Sequence, residues 1–326
     1  MISLENFVQN YSQYSDLTSS VRTETITFNQ QSYPLISLRF GQADKPTLLI
    51  CGGIHGLERI GAQLAVSLLN SFYERLTWDQ VLKNLLNHVQ VVFIPLANPI
   101  GYFNTTRSNG AGVDLMRNAP IEAEDPTPFL LGGHRKSANW PWYRGNELQT
   151  ESQFVLSEVQ NILKQSKVLI SLDLHSGFGF QDQIWFPYAY SKKKFPQISH
   201  LYLLFQLFEK SFPHHIYKIE PQSKNYLTHG DLWDYSFLNY KSDEQVYLPL
   251  TLEMGSWIWV KKNPLQLFNK TGLFNPIKQH RMNRTFRRHR PLFDFLLHAL
   301  ASHETWSQSS QLNSEVIQQK AYELYY

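Results

Sequence analysis

Four uninterrupted apolar runs do most to restrict what this chain can become: residues 47–53, 88–96 (HVQVVFIPL), 168–174 (VLISLDL) and 245–254 (QVYLPLTLEM). A strand that is apolar at nearly every position is buried on both faces, as happens inside a sheet covered by helices. Helical periodicity fills the intervals at 58–72, 151–165, 198–212 and 286–301. The alternation predicts an α/β fold: a single domain with a twisted, mostly parallel mixed sheet flanked by helices on both faces. In such sheets sites form at the carboxyl ends of the strands. Ahead of the sheet, within residues 21–40, the alternating runs TETITF and YPLISLRF joined by NQQS read as an edge hairpin. Shorter strands are expected at 183–188 and 216–219. Residues 98–128 lack periodicity and read as a long loop of the kind that carries function. Residues 224–230 read as a polar loop. All 326 residues are assigned to one domain, with 1–45 as an N-terminal extension carrying the hairpin and 302–326 as a C-terminal tail.

A hydrophobic content of 42% suits a large core, and a net charge of only +3 gives no global field that would favour nucleic acid or an anionic membrane as partner. The basic run at 281–290, RMNRTFRRHR, reads as the solvated face of a helix. The single cysteine, Cys51, excludes an internal disulfide framework and a cysteine-rich metal site, and reads as a small buried hydrophobe. The first residues have no cationic segment feeding an apolar one, and no run approaches the roughly 18 apolar residues of a spanning helix. The expectation is a soluble cytoplasmic protein. Nothing in the pattern sets an oligomeric state.

Three of the strand ends carry reactive side chains. The first runs through Gly52 and Gly53 into His55 and Glu58, the second ends at His175 and the third at Glu253. His55 and Glu58 alone are ambiguous, since a helix beginning there would also favour a carboxylate in its first turn. Taken together, the four residues supply two imidazoles and a carboxylate as ligands and a further carboxylate as base. That is the inventory of a metal-activated hydrolase, in which three protein ligands leave a fourth position open for water.

At these residues the chain resembles the zinc carboxypeptidases, the carboxypeptidase A-like or funnelin family. The matching pieces are HGLE at His55, NPIGYFNTTRSNGAGVDLMRN at 98–118, DLHSG at Asp173, YLTHGDLWDY from Tyr226 and TLEMG around Glu253. They occur in the family's order and span about residues 47–254. The resemblance implies one Zn²⁺ per chain held by His55, Glu58 and His175, with Glu253 as general base. It implies that Arg107 polarises the scissile carbonyl and that Arg117 holds a terminal carboxylate of the substrate through its two-pronged guanidinium. Asp114 matches the carboxylate that orients the first histidine ligand. Tyr226 matches a tyrosine that closes over the substrate, with Tyr235 and Tyr240 as competitors.

One position departs from the family pattern. The residue before the carboxylate-binding arginine is usually asparagine, and here it is Met116, which cannot donate a hydrogen bond to a carboxylate. Asn118 is the neighbouring candidate for substrate binding. The expected partner is a small peptide, or an acyl amino acid if the chain follows the related aspartoacylase and succinylglutamate desuccinylase branch; a murein peptide is a third substrate of the same chemistry. Among the remaining residues, His229 reads as a loop histidine. His134, His214, His215, His280 and His289 read as surface, and Trp233 as a candidate wall of the specificity pocket.

Overall fold

A computed structural model describes residues 4–307 and 315–326. Eight strands, numbered in chain order, form one mixed sheet: β1 (Ser20–Phe28), β2 (Gln31–Phe40), β3 (Thr47–Gly52), β4 (Gln90–Ile94), β5 (Val168–Ser176), β6 (Gln183–Phe186), β7 (Lys218–Pro221) and β8 (Val246–Met254). Their order across the sheet is β1-β2-β4-β3-β5-β8-β6-β7. The pairs β3/β4, β3/β5, β5/β8 and β6/β7 are parallel, and β1/β2, β2/β4 and β6/β8 are antiparallel. The central strands β3, β4 and β5 are buried at every position, which is why their sequences run apolar without alternation.

The helices are α1 (Leu4–Asn10), α2 (Arg59–Trp78), α3 (Gln80–Leu85), α4 (Pro99–Asn104), α5 (Thr150–Leu163), α6 (Ile198–Ser211), α7 (Leu232–Tyr240), α8 (Trp257–Lys262), α9 (Gln279–Ala301), α10 (His303–Trp306) and α11 (Glu315–Tyr325). Helices α2 and α9 pack on each other and on the middle of the sheet, while α5 and α7 pair and cover β2, β5 and β8. No helix among the described residues is long and apolar enough to cross a membrane.

The expected hairpin forms, but it is no separate extension: Leu38 to Phe40 of β2 pair with β4, so the hairpin continues the sheet. The C-terminal segment likewise belongs to the body. Helix α11 packs on α6 and β7, and the Tyr325 ring meets Phe186 at 5.4 Å; the part of the expected tail at 308–314 lies outside the described residues. The long loop expected at 98–128 contains α4, which begins at Pro99 after Asn98 caps it through Gly101 N. Helix α7 is an element the periodicity did not announce. The basic run is part of α9, which starts at Gln279, earlier than the apolar pattern alone suggested.

Candidate active site

The site is assembled where β3, β5 and β8 end. After β3 the chain turns at Gly53, whose φ of +67° is in the left-handed region that favours glycine. His55 follows, and Glu58 occupies the residue before α2. Its carboxylate makes no capping bond to the helix. The capping role falls instead to Asn275, whose Oδ1 accepts from Ile60 N at 2.9 Å while its Nδ2 donates to Leu57 O at 2.8 Å. Glu58 is thereby free to face β5. Helix α2 reaches β5 closely because residue 61 is glycine: a Cβ there would lie 2.1 Å from the carbonyl oxygen of Leu174, the residue before His175.

His55 and His175 are oriented in the same way. His55 Nε2 lies 3.0 Å from Asp114 Oδ1, and His175 Nε2 lies 2.6 Å from Asp173 Oδ2. Carboxylates accept only, so each ring carries its proton on Nε2 and presents the Nδ1 lone pair inward. The two Nδ1 atoms are 3.2 Å apart, and each is near Glu58, at 2.9 Å from Oε1 for His55 and 3.1 Å from Oε2 for His175. One ligand atom from each of these three residues can be chosen so that all lie within 4.8 Å of one another. Two lone pairs and a carboxylate converging in a buried spot require positive charge, from protons or from a metal ion. The titration behaviour expresses the same requirement. Burial would lower the His175 pKa, but Asp173 and Glu58 hold it well above the usual imidazole range. Burial would raise Glu58, but His55 and His175 hold it well below the usual carboxylate range. Two imidazole nitrogens and a carboxylate, each imidazole backed by a second carboxylate, fit zinc.

Glu253 stands next to His175 in register on β8. Burial pushes its carboxyl up to about 8; His175 pulls the other way, and Glu58 opposes ionisation. Its Oε2 is buried without a hydrogen-bond partner. Arg107 donates through Nε to Asp114 Oδ2 at 2.7 Å and through Nη1 to Glu58 Oε1 at 3.1 Å. Asp114 also accepts from Met116 N, so one carboxylate ties together His55, Arg107 and the following loop.

These residues lie along a cleft of about 650 Å³ whose lining includes His55, Glu58, Arg107, Arg117, His175 and Glu253. Arg117 is fixed by donating from Nε to Leu131 O and from Nη1 to Met116 O, and its side chain also hydrogen-bonds the Tyr226 hydroxyl. Tyr226 sits beside it, with its ring 6.0 Å from Trp185 and 6.1 Å from Phe178. Tyr235 and Tyr240 are not in the cleft and meet each other edge to face at 5.8 Å. Met116 is buried in the cleft wall.

Several expectations are corrected. Asn118 does not line the cleft: its Nδ2 donates to the carbonyls of Arg144 and Glu147, and its Oδ1 accepts from Gln149 N, so the whole amide is used in holding the loop. Trp233 is no pocket wall. It is buried, and its indole N–H donates at 2.8 Å to Asp173 Oδ2, the oxygen that orients His175. His289 is 2% exposed and bonds Tyr217 Oη at 2.9 Å. His134 is buried too, between Pro141 O and Lys136 N. His229 reads correctly as a loop histidine and ties its loop to the segment at 123–127, accepting from Ala123 N through Nδ1. Asp173 is the site residue whose role motif reading passed over, and Trp233 is the one it placed wrongly. The signal for Asp173 was present, because residues two apart on a strand share a face. The cleft's aromatic wall of Phe178, Trp185 and Trp257 comes from three separate segments and had no local signature.

A family model described as zinc carboxypeptidase matches residues 4–256. Among curated proteins, carboxypeptidase A4 of Mus musculus is 26% identical over 200 residues, covering 58% of this chain and 46% of its own length. A protein named inactive metallocarboxypeptidase ECM14, from Ajellomyces capsulatus (strain NAm1 / WU24), is 28% identical over 174 residues, covering 46% of this chain and 26% of its own. The chain thus spans less than half the length of these curated relatives. Among solved structures, thrombin activatable fibrinolysis inhibitor superposes with a TM-score of 0.64 at 22% identity, over 93% of this chain and 76% of that one, a likeness of fold.

Proposed function

This chain belongs to the zinc carboxypeptidase family, and from that premise we propose that it hydrolyses the amide bond next to a terminal carboxylate of a small peptide. The observation that carries the reading is the convergence of His55, Glu58 and His175 within 4.8 Å in the same cleft as Glu253. A zinc ion held by those three residues would supply Lewis acidity to the scissile carbonyl and make a water acidic enough to be deprotonated near neutral pH.

The chain's own residues do the rest. Glu253 takes a proton from the attacking water and returns it to the leaving nitrogen; the unpartnered Oε2 is the atom that holds it. Arg107 keeps a guanidinium fixed in the cleft wall, ready for the negative charge that develops on the carbonyl oxygen. Arg117, in the cleft wall with Tyr226 bonded to it, offers its guanidinium to the terminal carboxylate. The aromatic wall of Phe178, Trp185 and Trp257 suits an apolar side chain and keeps water away from the reacting bond. The presence of Arg107 and Glu253 in the cleft supports an active enzyme over a silent one like the relative named inactive.

A second reading is favoured by Met116. An apolar side chain beside Arg117 removes a donor to the terminal carboxylate, which suits a substrate held mainly by its acyl side, an N-acyl amino acid. The test is to offer the zinc-loaded protein free peptides, the same peptides amidated at the C-terminus, muropeptides and N-acyl amino acids, and to weigh the products. Loss of one residue from free peptides and none from amidated ones is the expected result. Release of acyl groups alone moves the chain to the deacylase reading, and no turnover of any class refutes both.

A further inference from the structure

A second concavity lies outside the catalytic cleft, between α8, α9 and the loop before β6. Its volume is about 460 Å³, and Lys262, Arg281, Arg284 and Arg288 line it. It continues past Arg284 and Arg288 to Arg287. Between Met254 and Phe293 the sequence holds nine Lys and Arg and no Asp or Glu, although the whole chain is only +3, so the remainder is net acidic. Asp182 is the single carboxylate in the groove, and it is already neutralised, accepting from Arg288 Nη1 at 3.0 Å and Gly255 N at 2.8 Å. Arg281 donates to Trp259 O. Lys262, Arg284 and Arg287 have no ion-pair partner among the described residues, and Arg284 and Arg287 are exposed. Such a field, with apolar side chains Phe180, Ile258 and Trp259 in its walls, favours a ligand that mixes carboxylates with apolar groups.

The groove and the cleft share a wall. Phe178 lines the cleft, Phe180 lines the groove, and the Trp257 ring stands 5.5 Å from each of them. Phe180 and Trp257 are exposed, 58% and 37%, so the three rings form an open ledge from one concavity to the other. A chain lying on that ledge crosses it in about three extended residues. In a carboxypeptidase-like reaction the terminal residue is enclosed at Arg117, so only the part upstream of the scissile amide is long enough to leave the cleft. We propose that the groove is a second recognition site for substrate, reading acidic side chains about three to five residues upstream of the cleaved bond. This rests on the function proposed above.

The experiment compares two peptides that end in Ala-Ala-Phe, one preceded by three glutamates and one by three glutamines, which places the variable residues three to five positions upstream of the cleaved bond. Hydrolysis of the glutamate peptide should have a kcat/KM about tenfold higher at low salt, shrinking towards equality at 0.5 M salt. The double variant Arg284→Glu/Arg287→Glu should abolish the preference and leave an N-blocked dipeptide, too short to reach the groove, cleaved at the original rate. Equal rates for both peptides, or a preference that survives the double variant, overturns the proposal. If no peptide is cleaved, the functional reading has failed, and the groove is tested separately by fluorescence anisotropy with the labelled glutamate peptide. Saturable, salt-sensitive binding lost in the double variant supports it. Binding that is absent, or that is displaced by duplex DNA but not by unlabelled glutamate peptide, overturns it.

Discussion

His175 and Glu253 are register partners on the adjacent parallel strands β5 and β8. Because side chains alternate along a strand, equal register puts both on the same face, and Asp173 and Thr251 share it two residues earlier. A candidate ligand and a candidate base are thus held side by side by main-chain bonds. Glu253→Gln keeps the shape and removes only the proton acceptor. The variant should bind about one zinc per chain, as metal analysis will report, and lose roughly 10²- to 10⁴-fold in kcat. Retained turnover would assign the base elsewhere.

Asp173 Oδ2 receives both the His175 Nε2 proton and the Trp233 indole N–H. Asp173→Asn should weaken zinc affinity by about 10- to 100-fold. Trp233→Phe, which loses one donor to that carboxylate, should have a smaller effect in the same direction. Competition with a chromogenic chelator measures both, and unchanged affinity in Asp173→Asn would show that His175 needs no such orientation.

Gly61 sets the distance between α2 and the end of β5. The Cβ of Gly61→Ala would meet the Leu174 carbonyl at 2.1 Å, and neither backbone has room to yield without moving Glu58 relative to His175. A loss of about 1–3 kcal/mol in stability is expected, together with weaker zinc binding. Urea unfolding and a zinc titration of the same sample check the two effects together.

His289, which does not line the cleft, supplies a pH dependence of its own. Burial depresses its pKa from the usual 6.5 to about 4, Asp182 opposing and Arg288 reinforcing the shift. Between these values the unfolded chain binds a proton that the folded protein does not. Its contribution to stability is therefore complete above about pH 6.5, declines as the pH falls, and is gone below about pH 4. His289→Asn should flatten that part of the stability curve, at the expense of about 1 kcal/mol near pH 7 if the bond to Tyr217 is lost. Urea unfolding at pH 7, 5.5 and 4.5 is the measurement, and parallel curves for the two proteins would refute it.

The centre of the sheet was legible because burial on both faces leaves a continuous apolar run, and His55, Glu58, His175 and Glu253 stood out as polar residues at the ends of such runs. Their mutual geometry was not legible, since strand order and register depend on pairing between distant segments. His289 was misjudged because its sequence neighbours are arginines. On a helix the relevant neighbours are three and four residues away, and Thr285, Phe286, Leu292 and Phe293 form a buried stripe that includes it. Helix α7 was hidden behind a polar approach, although Asp231 offered a cap signal, accepting from Trp233 N and Asp234 N. Asn118 looked available beside Arg117 because its three partners come from residues 144–149, far along the chain.

The glycine contact between α2 and β5 also bears on how the protein would take up a metal ion. Glu58 and His175 are spaced by packed backbone, and both imidazoles are aimed by protein carboxylates, so no loop has to condense around an incoming ion. Uptake would then be capture by a finished socket, with no coupled folding of the kind small zinc modules require. Metal-stripped protein should remain folded, and reloading should restore it without a refolding step. Zinc would raise its thermal stability only by the mass-action gain of a ligand that prefers the native state.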